Sequence, residues 1–117
     1  MQQEAGGQYK TVVMQAAAVA TGDGTAMVCT DAESGSFKKL AVQVQGITTA
    51  TITWEVTIDG TNWKGILVAP VTTGTAALTA TADGIFTVDV TGMLQFRARI
   101  SAWTSGTITV SGVLTAV

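Results

Sequence analysis

The chain has few side chains that could carry out acid–base, nucleophilic or metal chemistry. It has eight carboxylates in 117 residues, one cysteine and no histidine. A Ser/His/Asp or Cys/His mechanism is excluded because both need a histidine base, and the usual cysteine and histidine ligands of zinc are missing. A glycosidase needs two facing carboxylates, but only Glu55 is centred on an outward strand face, with no second carboxylate spaced beside it. The sequence therefore predicts a protein that is not an enzyme, with no catalytic residues and no cofactor.

Calcium binding is the remaining metal hypothesis. Asp23, Asp31 and Glu33 lie on neighbouring predicted loops and could offer oxygens to the ion. Acidic residues are also common in turns for backbone reasons, and no EF-hand run is present, so we predict no metal site. Cys29 lies in the apolar stretch TAMVC, which favours a buried thiol and rules out an internal disulfide. That pattern is typical of synthesis in a reducing compartment.

The composition is apolar and weakly charged. Charged residues make up 12% of the chain and the mean hydropathy is +0.41, yet no apolar run approaches the roughly 20 residues that a membrane-spanning helix needs. The net charge of −2 and the pI of about 4.7 argue against a nucleic-acid partner, which would require a basic surface. We expect neither nucleic acid nor membrane as a partner. A surface of this kind favours self-association or docking onto another protein.

The N-terminal sequence MQQEAGGQYK is polar and rich in glycine and glutamine. It lacks the basic segment and unbroken apolar run of a signal peptide, so no export signal is predicted. We interpret residues 1–8 as a flexible arm and residues 9–117 as a single domain.

Strict alternation of apolar and polar residues predicts β-strands along the rest of the chain. The predicted strands are 9–19, 25–29, 40–45, 51–58, 63–69, 75–80, 85–90, 95–102 and 107–114. Glycine-containing turn signals separate them, including Gly46, Asp59-Gly60 and Ser105-Gly106. The pattern predicts an all-β fold, an antiparallel β-sandwich of the jelly-roll or immunoglobulin-like kind, with about seven to nine strands.

Two of the three tryptophans flank one tight turn. A two-residue type I′ turn at Asp59-Gly60 would pair Val56 with Trp63, and a four-residue loop would pair Ile58 with Trp63. Both registers place Trp63 on the same face as Trp54, so the parity favours core packing over a sugar-binding platform. The predicted core aromatic residues are Trp54, Trp63, Phe86 and Phe96.

Several residues fall on the outer side of their predicted strands and could form an interface. Ile66 and Val68 share a face with Lys64, and Trp103 and Val113 each oppose the apolar set of their own strand. Unless a bulge shifts the register, these residues form an outer apolar patch. Arg97 and Arg99 share an outward face, either for cross-strand pairing with Glu55 or for a salt bridge between subunits. The predicted interface residues are Ile66, Val68, Arg97, Arg99 and Trp103.

The segments TWEVTIDGTNWKGI and GIFTVDVTGMLQFRARISAWTSGTITVSG carry a family resemblance. The chain resembles small β-sandwich proteins from the structural-gene clusters of tailed bacteriophages, in which an E-x-S/T-x-D-G-T-x-W hairpin precedes G-x-x-x-V-D-V-x-G-x-x-x-F-R-A-R. The matching segment is residues 53–111, about half of the chain.

The resemblance implies a virion component, either a capsid decoration (cement) protein or a tail or fibre accessory, and it implies no catalytic residue. We expect a homo-oligomer, a dimer or trimer, that is made in the host cytoplasm and resides in the virion. Its expected partners are its own copies and the major capsid protein or other virion proteins. The alternative is a carbohydrate-binding β-sandwich module of a tail or fibre.

Overall fold

The structure, a computed structural model, describes residues 9–30 and 36–116. These residues form eight antiparallel β-strands and no helix. The strands are β1 (Tyr9–Ala18), β2 (Met27–Val28), β3 (Lys39–Thr57), β4 (Lys64–Gly65), β5 (Ala69–Pro70), β6 (Thr79–Ala80), β7 (Gly84–Asp89) and β8 (Gln95–Thr115). The all-β prediction is confirmed. The predicted arm at residues 1–8 and two of the acidic calcium candidates, Asp31 and Glu33, lie outside the described residues.

Two long strands, β3 and β8, form the backbone of the sheet. They pair side by side from Thr57 and Gln95 at one end to Lys39 and Thr115 at the other. The sequence predicted that each would be two strands separated by a turn, and that prediction is wrong. At the expected turns the chain instead makes β-bulges, which bend a strand without ending it.

Gly46 and Gly106 make the bend possible. Both have positive φ angles, 89° and 118°, which glycine adopts without steric cost. A Cβ atom on Gly46 would overlap the carbonyl oxygen of Thr107, and one on Gly106 would lie 2.6 Å from the carbonyl oxygen of Gly46. The carboxylate of Asp83 accepts hydrogen bonds from the backbone N–H groups of Gly46 (3.1 Å) and Ile47 (2.8 Å). These contacts hold the bulge in β3 in one conformation.

The bend folds one continuous sheet into two facing layers, giving a β-sandwich-like architecture. The first layer contains β1, β7, β5 and the halves of β3 and β8 around residues 39–45 and 107–115. The second layer contains β2, β4, β6 and the opposite halves of β3 and β8. The ring of Trp54 in the second layer lies 5.3 Å from that of Phe86 in the first.

The core lies between the layers and follows the predicted alternation. Leu40, Val42 and Val44 from β3 are buried, and Trp54 packs between Phe86 and Phe96, with the second ring at 6.1 Å. The Trp54 indole N–H has no hydrogen-bond partner among the described residues, so packing alone holds this side chain. Cys29 is buried, as expected.

A bulge in β8 corrects the prediction for Trp103. Thr51 pairs with Ala102 but Ile52 pairs with Ile100, so Ser101 is an extra residue that reverses the side-chain parity. Ala102, which the alternation of predicted strand 95–102 places on the same inward side as Phe96, is exposed. Trp103 is partly buried and packs against the core instead of lying in an outer patch.

The predicted outer patch also fails at Ile66 and Val68. Strand β4 contains only two residues, so the alternation extrapolated from Lys64 does not continue past Gly65. Val68 is buried, with 1% of its surface exposed, and Ile66 is partly buried against the core. The segment from Ile66 to Leu78 leaves the edge of the second layer, pairs with β7 of the first layer through β5, and returns. It therefore links the two layers along one side of the sandwich.

Candidate functional site

The outer face of the second layer carries a charged cluster centred on Glu55. Its carboxylate accepts hydrogen bonds from Arg97 Nε at 2.8 Å and from Arg99 Nε at 3.1 Å and Nη2 at 3.2 Å. Glu55 and Arg97 retain only 12% and 17% of their side-chain exposure. Of the two sequence hypotheses for the arginines, the structure shows the cross-strand pairing. A salt bridge between subunits stays a prediction.

The electrostatics of Glu55 reflect a balance between burial and pairing. Burial raises the pKa of the carboxyl, but the hydrogen bonds from Arg99 and Arg97 and their positive charges outweigh it and lower the pKa below its usual 4.5. Arg97 also pairs with Asp23 at 3.3 Å. The cluster therefore contains two positive and two negative charges and is internally neutralised.

Trp63 belongs to this charged cluster and not to the core, so the prediction for this residue is wrong. Val56 pairs with Lys64, which gives an odd-numbered loop and places Trp63 on the side opposite to Trp54. The ring of Trp63 is half-buried and covers the guanidinium of Arg97, whose Cζ lies 4.2 Å from the ring centroid. This is cation–π geometry.

Hydrogen bonds from backbone N–H groups to two side chains explain why the loop is longer than predicted. Thr57 Oγ1 accepts from the N–H groups of Asp59 (3.2 Å) and Gly60 (3.0 Å). Asp59 Oδ1 accepts from those of Thr61 and Asn62, both at 2.8 Å. Bonds from the backbone and side chain of Asn62, followed by those of Thr61 and Thr57, hold the pKa of Asp59 well below its usual value. Ile58, predicted to be buried, is 74% exposed because the strand ends before it.

The outer face of the first layer has the opposite character. Two neighbouring rows of paired residues run across β1, β8, β3 and β7 in the middle of this layer. None of the outward side chains that the structure describes in these two rows is charged. We call this surface the uncharged face, and it consists of Thr11, Val13, Ala41, Gln43, Ile85, Thr87, Ser111 and Val113. Three of its large apolar side chains, Val13, Ile85 and Val113, remain 52%, 46% and 37% exposed. Such a surface leaves apolar area in contact with water.

The border of the uncharged face is defined by a charge pair and a hollow. Lys39 Nζ lies 2.9 Å from Asp89 Oδ2 in the next row of the sheet, and both side chains are more than half exposed. A hollow of about 500 Å³ lies over the face, between Ala41 and Val113 on one side and Leu67, Ala69 and Ala76 on the other. The face thus has a recess that an apolar side chain of a partner could fill.

Of the three large apolar residues on the uncharged face, the sequence analysis singled out only Val113 as facing outward. The signal for Ile85 was present, because the alternation that buries Phe86 and Val88 also points Ile85 outward. Val13 was harder to find, since β1 contains register shifts after that residue.

Other kinds of site find little support. Among residues 9–30 and 36–116, no group of three or more histidine, cysteine, aspartate or glutamate side chains is placed to hold a metal ion. Within the same residues there is also no helix with the length and apolar character that crossing a membrane requires.

Comparison with known proteins identifies the family. The XepA family model matches residues 8–114. The chain belongs to the XepA family. Its fold is similar to the crystal structure of the PBSX exported protein XepA, with a TM-score of 0.86 and 17% identity over 97% of this chain. It is also similar to that of the SPBc2 prophage-derived protein YomS, with a TM-score of 0.81 and 16% identity over 98% of this chain. No curated protein matches the sequence.

This member of the XepA family covers very different shares of its two structural relatives. The chain spans 39% of the length of XepA and 99% of that of YomS. At these identities the matches establish the shared fold alone. The expected link to bacteriophages is confirmed at the level of a phage-derived family, because the matching family model bears the name of XepA, a protein of PBSX.

Proposed function

We propose that this protein is a non-enzymatic structural component of a phage particle, a homo-oligomeric decoration protein that binds and stabilises the assembled capsid lattice. The uncharged face is the observation that carries the proposal. XepA is described as an exported protein, which fits a product that leaves the host cell. We propose that this chain leaves as part of the virion.

The contrast between the two outer faces supports a protein contact on the first layer. On the second layer, Glu55 and its arginines satisfy one another, so that face needs no partner. On the first layer, Val13, Ile85 and Val113 stay exposed without charged neighbours in the same rows. The centres of protein interfaces are similarly depleted of charge.

A second copy of the chain is the occupant that this face fits. Two uncharged faces can meet without like-charge repulsion, and a two-fold contact is self-complementary by symmetry. Lys39 and Asp89, exposed at the border, would offer a positive and a negative charge to the opposite charges of the other copy. Oligomers that carry several lattice contacts would then bind a capsid by multivalency and stabilise the assembled state by mass action.

The alternative from sequence, a sugar platform built on the hairpin tryptophans, loses its main support. Trp54 is fully buried, and the Trp63 ring is covered on one side by Arg97. Trp54 therefore cannot stack on a sugar, and one of the two faces of Trp63 is already occupied.

A matched pair of isoleucine substitutions tests the proposal. Ile85→Lys places a charge in the uncharged face, while Ile58→Lys makes the same change at an exposed loop residue outside it. Sedimentation equilibrium should show a dimer or trimer for the wild type and Ile58→Lys, and a monomer for Ile85→Lys. Co-sedimentation with undecorated capsids should be lost only for Ile85→Lys. A wild-type monomer, or equal capsid binding by both variants, would refute the proposal.

A further inference from the structure

A groove of about 260 Å³ lies where the long strands bend, and it shares no lining residue with the charged cluster or the uncharged face. It is lined by Ala50 of β3, Ala102 and Trp103 of β8, and a set of threonines. The indole Nε1 of Trp103 donates a hydrogen bond to the carbonyl oxygen of Gly106 at 3.0 Å. That bond satisfies the polar edge of the indole and fixes its orientation, so the ring is a pre-positioned apolar wall of the groove.

Threonine hydroxyls supply the polar part of the groove. The five that line it are Thr48, Thr49, Thr51, Thr81 and Thr104. None of their hydroxyls makes a hydrogen bond within the described part of the chain, whereas Thr53 donates to Ser101 Oγ at 2.7 Å and Thr109 accepts from the N–H of Ala17 at 3.2 Å. Each free hydroxyl can both donate and accept.

Charge is missing from this groove. Its described lining residues include neither a carboxylate nor a cationic side chain. A phosphate or carboxylate ligand would find no arginine or lysine to pair with, and a cation would find no carboxylate. The chemistry that matches one fixed aromatic ring and several unpaired hydroxyls is a neutral, polyhydroxylated ring with apolar C–H faces.

We propose that this groove binds a neutral saccharide, with one pyranose ring against Trp103 and its hydroxyl groups bonded to the threonines. The bulge at Ser101 creates the site, because it brings Trp103 and Thr104 to the positions where they line the groove beside Thr49. The proposal does not depend on the decoration role, since it concerns a different surface and needs no capsid.

Two-dimensional ¹H–¹⁵N NMR of the full chain tests the proposal, with maltotriose and the N-acetylglucosamine trimer as probes. At least one sugar should shift amide signals of Thr48–Thr51, Thr81 and Ala102–Thr104 in a saturable way, with a dissociation constant of about 1–10 mM. Thr49→Val and Thr104→Val keep the side-chain shape and remove a hydroxyl, and each should weaken binding by about three- to ten-fold. Thr87→Val, on the uncharged face, should leave binding unchanged.

The result that would overturn the proposal is the absence of saturable shifts at these residues with either sugar up to about 50 mM, well above the expected constant. Shifts that are unaltered in both groove variants would overturn it equally. The test uses Thr→Val variants because a substitution of the partly buried Trp103 could unfold the protein. Failure here leaves the capsid co-sedimentation result untouched, so the two proposals fail separately.

Discussion

The guanidinium of Arg97 lies between the ring of Trp63 and the carboxylate of Glu55, with Cζ 4.2 Å from the ring centroid and Nε 2.8 Å from Glu55 Oε1. This contact joins the β3–β4 hairpin to β8. It also explains why a tryptophan follows the Asp59-Gly60 turn: the ring shields an ion pair from water.

Trp54 and Trp63 should differ strongly in their contribution to stability. Trp54→Ala empties a fully buried site beside Phe86 and Phe96 and should lower the free energy of unfolding by about 3–5 kcal/mol. Trp63→Ala removes a half-buried ring and a cation–π contact and should cost about 1–2 kcal/mol. Urea unfolding followed by circular dichroism measures both. Equal losses would contradict the placement of Trp63 outside the core.

Glu55→Gln should destabilise the protein because it removes the anion that Arg97 and Arg99 share and leaves Arg97 paired only with the exposed Asp23. Charge-assisted hydrogen bonds of this kind contribute about 1–3 kcal/mol, and the same urea experiment should detect the loss. Asp89→Asn is the control, since the pair of Asp89 with Lys39 is exposed and should contribute less. If Asp89→Asn were the more damaging change, the charged cluster would not have the structural role assigned to it.

Stability should fall in acid with a defined contribution from Glu55. Its pKa is lowered in the folded protein, so the stabilisation is complete above the unfolded value, near 4.5, and is lost as the pH falls through the lower folded value. The free energy of unfolding, measured at a series of pH values below about 4.5, should therefore decrease less steeply for Glu55→Gln than for the wild type. The lowered pKa values of Asp59 and Asp89 act in the same direction in both proteins. Parallel pH profiles would contradict the account of Glu55.

A side chain at Gly46 should strongly destabilise the protein, because it would disturb the bend of the sheet. Gly46→Ala combines a positive φ with an overlap on the carbonyl oxygen of Thr107, and we expect a loss of more than about 3 kcal/mol, or failure to fold. Gly74→Ala has a similar φ, 72°, with no atom within 4 Å, so it should show the backbone strain alone, about 1 kcal/mol. Thermal unfolding of the two variants compares them directly. Similar melting temperatures would show that close packing at the bulge is unimportant.

Alternation predicted most of the core because one face of each long strand is buried. Leu40, Val42, Phe96 and Ile108 are inside as expected. The eight strands of the described residues fall within the predicted seven to nine, although four predicted strands merge into β3 and β8 and predicted strand 63–69 divides into β4 and β5. Alternation of apolar and polar residues with a period of two predicts the buried side chains well wherever one face of a sheet packs on the core and the other faces solvent.

The wrong predictions for Trp103 and Trp63 have a common physical origin, because the two-residue alternation is interrupted locally near each of them. One extra residue at Ser101 turned Trp103 inward. Backbone N–H groups that donate hydrogen bonds to the side chains of Thr57 and Asp59 lengthened the hairpin and turned Trp63 outward. Bulges and side-chain-capped loops depend on tertiary contacts, such as that of Asp83 with Gly46, and strand alternation does not encode them. The uncharged face could be predicted in part, through Ile85, but its extent required the register of four strands.

The most direct test of the decoration role is the copy number of this protein in purified particles of the source phage, measured by quantitative mass spectrometry against the major capsid protein. The account predicts a copy number proportional to that of the major capsid protein, because a decoration protein occupies repeated lattice positions. Absence from the particles, or only a handful of copies per particle, would contradict it.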